Sequence, residues 1–161
     1  MNTAYLLTGS NLGESASQLT LANQYISQKC GKIITQSAVY QTAPWGNQDQ
    51  PFFLNQAIKL ATELEPEALM QELLHIETLM GRIRTIKYGP RVIDLDILFF
   101  NDLIINKPML QLPHPAMAER RFVLVPMAEI APTQVHPVYN KTIQNLLIDC
   151  RDSSDVQKKI S

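Results

Sequence analysis

The sequence predicts an α+β fold: one antiparallel sheet with helices packed on one face. Three observations predict it. Short aliphatic and β-branched runs alternate with two longer segments of helical periodicity, in the order β-α-β-β-α-β. Both helical segments end on a glycine, Gly31 and Gly81. The 161 residues suffice for one sizeable core, and no repeat or linker divides them. That element order is the signature of a ferredoxin-like sandwich, here with C-terminal additions.

The elements follow in chain order. Ala4–Thr8 is a short strand, broken by the turn residues Gly9-Ser10-Asn11. A helix runs from about Ser15 to Cys30, with Ser15 and Gln18 spaced as a capping box and Leu19, Ala22 and Ile26 on one face. Lys32–Gln41 is a strand, and Thr42–Pro51 (TAPWGNQDQP) is a loop holding the only tryptophan. Phe52–Thr62 is a strand. Pro66 and Glu67 suit the start of a second helix, whose apolar face is Leu69, Leu73, Ile76 and Met80. After the basic loop GRIRTIKYGPR comes a strand, VIDLDILFF. Beyond Asn101 we expect a hairpin-like segment, a Pro-His-Pro turn, a helix near Phe122–Ile130 and a short helix near Thr142–Asp149. The tail from about Asp152 is polar and is expected to fray.

Composition excludes several classes. The formal net charge of −1 provides no basic field to recruit nucleic acid. No apolar run is long enough to span a membrane, and MNTAYLLTGSNLG lacks the basic and apolar regions of a signal peptide. Cys30 and Cys150 read as reduced structural thiols in a cytoplasmic protein. No Walker-type GxxxxGK[ST] and no GxGxxG occur.

The chemistry concentrates in the strand after the basic loop. Side chains alternate along a strand, so Ile93, Leu95, Ile97 and Phe99 are expected on the core face, and Asp94 and Asp96 on the other, open face. Two carboxylates at i and i+2 lie roughly 7 Å apart along a strand. That spacing suits Mg²⁺, which takes one or two carboxylates plus waters and phosphates. It equally suits two solvated aspartates, or one paired with Arg91. The preceding loop crowds Arg82, Arg84, Lys87 and Arg91 together, and guanidinium forks match phosphate oxygens. An ordinary solvated basic turn has the same composition.

The run KYGPRVIDLDILFF resembles the signature of the 6-hydroxymethyl-7,8-dihydropterin pyrophosphokinases. GSNLG, YQTAPWGNQDQPFFLNQA, Gly81–Arg84 and LPHPAMAERRFVLVPMAEIAP extend the resemblance over nearly the whole chain. It implies a ferredoxin-like fold and transfer of pyrophosphate from ATP to the hydroxymethyl group of a reduced pterin. The products are AMP and the pterin pyrophosphate, on the way to folate. Carried over by motif position, Asp94 and Asp96 hold two Mg²⁺ ions and, with Arg82 and Arg91, form the catalytic set. Glu77, Arg82, Arg84, Lys87, Arg91, Ile97, His114 and Arg120 bind ATP. Thr42, Pro44, Trp45, Phe53, Asn55, Asp94 and Phe122 bind the pterin, with Tyr88 and Lys87 on a mobile lid. The expected partners are ATP and the pterin alone, without nucleic acid or membrane, and the chain is expected to be monomeric. Two rival readings keep the fold: a nucleotide-binding regulatory module without chemistry, and another Mg²⁺-dependent phosphoryl or nucleotidyl transferase.

Overall fold

The computed structural model describes residues 1–42, 52–82 and 92–159. In chain order the elements are β1 (Asn2–Ser10), α1 (Ser15–Lys29), β2 (Lys32–Gln36), β3 (Tyr40–Thr42), β4 (Phe53–Thr62), α2 (Pro66–Leu79) and β5 (Asp94–Phe100). There follow β6 (Ile105–Lys107), β7 (Leu110–Leu112), a 3-10 turn (Met117–Glu119), α3 (Arg121–Ile130), β8 (Val135–His136), β9 (Lys141–Thr142), α4 (Ile143–Asp149) and β10 (Val156–Lys158).

The main sheet runs β10-β3-β4-β1-β5, with β2 also paired to β4, and every pairing is antiparallel. The expected strand 32–41 divides in two because Ser37 leaves the regular ladder. Its backbone N–H donates to Ala57 O, and its hydroxyl accepts the Ala57 N–H, at 2.9 Å each. The expected capping box at Ser15 does not form. Glu14 is the N-cap, and its carbonyl already accepts the Gln18 N–H, so Ser15 is the first helical residue and not the cap.

Two apolar clusters sandwich the sheet. Leu19, Ala22 and Ile26 of α1 and Leu69, Leu73 and Ile76 of α2 meet Leu6, Ile58, Ile93, Leu95 and Ile97 on one face. These two helices share a face, as the periodicity of their sequences requires. The other face is not simply open. Val123, Leu124 and Met127 of α3 and Ile143 and Leu146 of α4 cover part of it, against Tyr5, Leu7 and Ala57.

Phe99 belongs to this second face, which corrects the expected alternation. The β1–β5 register pairs Leu6 with Ile97 but Tyr5 with Phe99, so Leu98 is an inserted residue. A bulge of this kind reverses every side chain beyond it. Phe99 then packs edge-on against Tyr5 at 6.2 Å and His136 at 5.7 Å between ring centroids. Asp94 and Asp96 precede the bulge and keep the expected side of the strand.

The tail does not end as loose chain throughout. Val156–Lys158 adds β10 to the sheet edge, in register with Tyr40–Thr42. Cys30 is buried and unpaired by disulfide, and burial raises its thiol pKa to about 12, so it stays protonated and inert.

Candidate active site

Cross-strand register assembles the site before any side chain is considered. Tyr40 lies opposite Asn55, Asn55 opposite Gly9, and Gly9 opposite Asp94. One row across four strands therefore joins Asn55 to Asp94 through a glycine. In the neighbouring rows Thr42 lies opposite Phe53, and Leu7 opposite Asp96. Alternation along β4 and β5 places Phe53, Asn55, Asp94 and Asp96 on the second face, beyond the part covered by α3 and α4.

Gly9 is required by close approach. A Cβ there would lie 2.5 Å from Asn55 Nδ2. The bare backbone lets the Asn55 amide lie across β1 and donate to Thr8 O at 3.2 Å. Asn55 is 5% exposed, and its Oδ1 has no hydrogen-bond partner among the described residues. A buried amide oxygen without a donor is costly. It is a ready acceptor for a ligand N–H.

The cationic side is built by the end of α2. Gly81 adopts φ +86°, donating its N–H to Thr78 O, while the Arg82 N–H returns to Glu77 O. This is a Schellman closure, which favours glycine at the left-handed position. It folds Arg82 back beside Glu77. Arg82 Nη1 then lies 2.9 Å from Glu77 Oε2 and 2.8 Å from Asp94 Oδ1. Glu77 is 2% exposed and also accepts the Leu95 N–H at 2.7 Å. One buried carboxylate thus fixes both the arginine and the strand between the two aspartates. One guanidinium faces two carboxylates, and its buried Nε has no partner among the described residues.

His114 closes a second side. Its backbone N–H donates to Leu98 O at 3.0 Å, and its Nδ1 accepts the Ala116 N–H at 3.2 Å. That bond assigns the proton of the neutral ring to Nε2, a donor. Burial, and then the Arg120 charge, push the imidazole below its ordinary range, while Asp94 opposes them. The ring is therefore neutral at pH 7. Arg120 stands 5.8 Å from the Phe122 ring, at the start of α3, and Phe122 is half-buried against the second-face cluster. A cleft of about 360 Å³ is bounded by Leu73, Asp94, Asp96, Ile97, Met109 and His114.

Contacts and register thus bring Glu77, Arg82, Asp94, His114 and Arg120 into one electrostatic group and Thr42, Phe53, Asn55 and Asp94 into adjoining rows. Pro44, Trp45, Arg84, Lys87, Tyr88 and Arg91 lie outside the described residues. Gly9 went unrecognised in the sequence, where GSN reads as a turn. The signal was available: continuing the alternation of AYLLT by one residue puts Gly9 on the face of Tyr5 and Leu7.

The donor set matters for any metal. Among the described residues no group of three or more His, Cys, Asp or Glu side chains is placed to hold an ion. Two strand carboxylates fit Mg²⁺ arriving with phosphate oxygens better than they fit a resident structural metal.

The profile of the family described as 7,8-dihydro-6-hydroxymethylpterin-pyrophosphokinase (HPPK) matches residues 5–132. The chain is 45% identical over 136 residues to a 2-amino-4-hydroxy-6-hydroxymethyldihydropteridine pyrophosphokinase of Methylorubrum extorquens, covering 84% of this chain and 86% of that protein. It is 37% identical over 155 residues to a folic acid synthesis protein of Dictyostelium discoideum, covering 96% of this chain but 23% of the larger protein. In fold it is similar to a Plasmodium falciparum HPPK-DHPS crystal structure, with a TM-score of 0.75 at 20% identity over 92% of this chain and 44% of that one.

Proposed function

The chain belongs to the 7,8-dihydro-6-hydroxymethylpterin-pyrophosphokinase family, and on that premise we propose how its residues divide the work. The reaction is transfer of pyrophosphate from ATP to the hydroxymethyl group of 6-hydroxymethyl-7,8-dihydropterin, a step of folate biosynthesis. We read the sheet order, with β5 and β4 flanking β1, as a ferredoxin-like sandwich. We also take the chain to be a single-domain monomer acting in the cytoplasm. No helix among the described residues is long and apolar enough to cross a membrane.

The observation that carries the site assignment is the row Asn55–Gly9–Asp94, with its buried Asn55 oxygen at one end and a carboxylate at the other. We assign the pterin to the Asn55 end, between Phe53 and Phe122, with Thr42, Pro44 and Trp45 at its rim. A flat, hydrogen-bonding heterocycle fits a slot of rings and amides. Asn55 Oδ1 receives an N–H of the pterin edge. We assign the triphosphate to the Asp94 end, where Arg82, Arg84, Lys87, Arg91 and Arg120 converge in sequence or space. Ile97 and the His114 Nε2–H seat the nucleoside, and Glu77 holds Arg82 and β5 for both.

Asp94 and Asp96 are the proposed ligands of two Mg²⁺ ions. Bound there, Mg²⁺ supplies Lewis-acid polarisation of the phosphoryl oxygens and lowers the pKa of the attacking hydroxyl. The chain itself aligns the hydroxymethyl oxygen with the β-phosphorus and stabilises the leaving AMP through its guanidinium donors. No covalent enzyme intermediate is required.

The test is incubation of the protein with ATP, Mg²⁺ and the hydroxymethyl dihydropterin. AMP and the pterin pyrophosphate are the expected products, with no turnover when Mg²⁺ is chelated. ADP in place of AMP would overturn the assignment. A finer prediction concerns Gly9→Ala. Its Cβ displaces the Asn55 amide, so pterin affinity falls roughly 10-fold, about one hydrogen bond, while affinity for an ATP analogue is unchanged. Equal loss of both ligands would place the effect in the fold instead.

A further inference from the structure

We propose that the C-terminal segment Arg151–Lys159 is a strap that sets the width of the pterin slot by tying its two walls together. The proposal rests on the assignment of Thr42 and Phe122 to that slot. The segment lies beyond the part of the chain that matches the family profile, residues 5–132.

The two walls are α3, which carries Phe122 in its first turn, and β3, which ends on Thr42. Direct side-chain hydrogen bonds join them at one end of their contact. There Glu129, in the last turns of α3, accepts the Tyr40 hydroxyl at 2.6 Å and the Ala38 N–H at 3.1 and 3.2 Å. Burial and this carboxylate raise the Tyr40 pKa to about 12, so the hydroxyl remains a donor. Phe122 and Thr42 sit at the opposite end.

The tail ties that end. Asp152 Oδ2 accepts the Arg121 N–H at 3.0 Å. Arg121 is the first residue of α3, and the N-cap Arg120 makes no side-chain cap of its own. A carboxylate at this position satisfies an orphan donor and complements the helix dipole. Asp152 is itself fixed, because its Oδ1 accepts the Ser154 N–H at 2.9 Å and the Ser154 hydroxyl. Three residues later Asp155 O accepts the Thr42 hydroxyl at 3.3 Å. The chain then runs as β10 along β3, with Val156 opposite Thr42 and the Lys159 N–H on Val39 O at 2.8 Å. Within four residues the segment therefore grips the Phe122 end of α3 and the Thr42 end of β3. Glu129 acts as the hinge of this pair and the strap as its clasp. Asp152 is a positioning residue: it touches the helix that carries the ring, not the substrate.

The test uses the full-length chain and two variants. Asp152→Ala removes the tie to α3. Gln157→Pro disfavours β10 pairing while leaving both apolar clusters untouched, because Gln157 is exposed and proline cannot donate to a ladder. Equilibrium binding is measured with 6-hydroxymethylpterin and, separately, with a non-hydrolysable ATP analogue plus Mg²⁺. Each variant is expected to weaken pterin binding about 5- to 10-fold, the size of one or two lost hydrogen bonds, with ATP-analogue affinity within about twofold. Asp152→Asn keeps an acceptor oxygen for the Arg121 N–H and is expected to recover most of the loss. Lowered thermal stability with unchanged pterin affinity would show a purely structural tail and overturn the strap. If Asp152→Ala does not fold, Gln157→Pro decides alone: unchanged pterin affinity rejects the proposal. Failure of the intact chain to bind the pterin at all would overturn the functional assignment, and the strap with it. Normal binding by the intact chain and both variants would overturn the strap alone.

Discussion

Asp94→Ala and Asp96→Ala are each expected to slow AMP formation by about 10³-fold, near 4 kcal/mol of transition-state stabilisation. A triphosphate and two aspartates gather negative charge that the described cations do not balance, since Arg82 already faces both Glu77 and Asp94. In the proposed reading a divalent metal would reverse this sign, with the two strand carboxylates as its protein ligands. Asp94→Ala also removes a partner of a nearly buried guanidinium, so its melting temperature falls as well as its rate. Near-normal rates for both variants would remove the metal from the Asp94–Asp96 assignment. A rate loss reversed by raised Mg²⁺ would instead locate the defect in metal affinity.

Much of this site was legible because its residues follow local rules. The alternation in VIDLDI needs no tertiary information, and Asp94 and Asp96 emerge opposite Ile93, Leu95 and Ile97. Pro66 and Gly81 mark α2 for the same reason: each suits a backbone geometry at a helix end. Phe99 was not legible. Its face depends on an inserted Leu98 in the pairing with β1, and a bulge is a property of two strands, not one. Its large apolar side chain suits either face of the sheet.

The second face and the tail were illegible for related reasons. RFVLVPMAEI reads as an apolar helix, but nothing within it says which side of the sheet it covers. Polar residues 152–159 have too little apolar surface to predict order. They are ordered because the edge of β3 offers unpaired backbone groups and α3 offers an uncapped first N–H. Glu77 shows what motif position leaves unsaid for a single residue. The motif names it a nucleotide ligand; the structure adds that the residue is 2% exposed and that its carboxylate holds the Leu95 N–H and Arg82.

That placement makes Arg82→Met the variant with the largest expected cost in stability. The guanidinium is a cation facing Glu77, a carboxylate held away from water. Removing one member of a buried pair takes away charge compensation from the other, at about 3–5 kcal/mol. The loss should appear as a lower denaturant midpoint with an unchanged slope. A double variant separates the two contributions. With Glu77→Leu in addition, the buried Glu77 charge is gone as well, and stability should return part of the way despite two substitutions. Full recovery is not expected, because the Leu95 N–H loses its 2.7 Å acceptor. Activity should not recover with it: the double variant folds but lacks the guanidinium proposed to stabilise the departing phosphate. Strictly additive losses in the cycle would mean that Arg82 and Glu77 act independently, and the argument that one buried carboxylate positions both the arginine and β5 would fail.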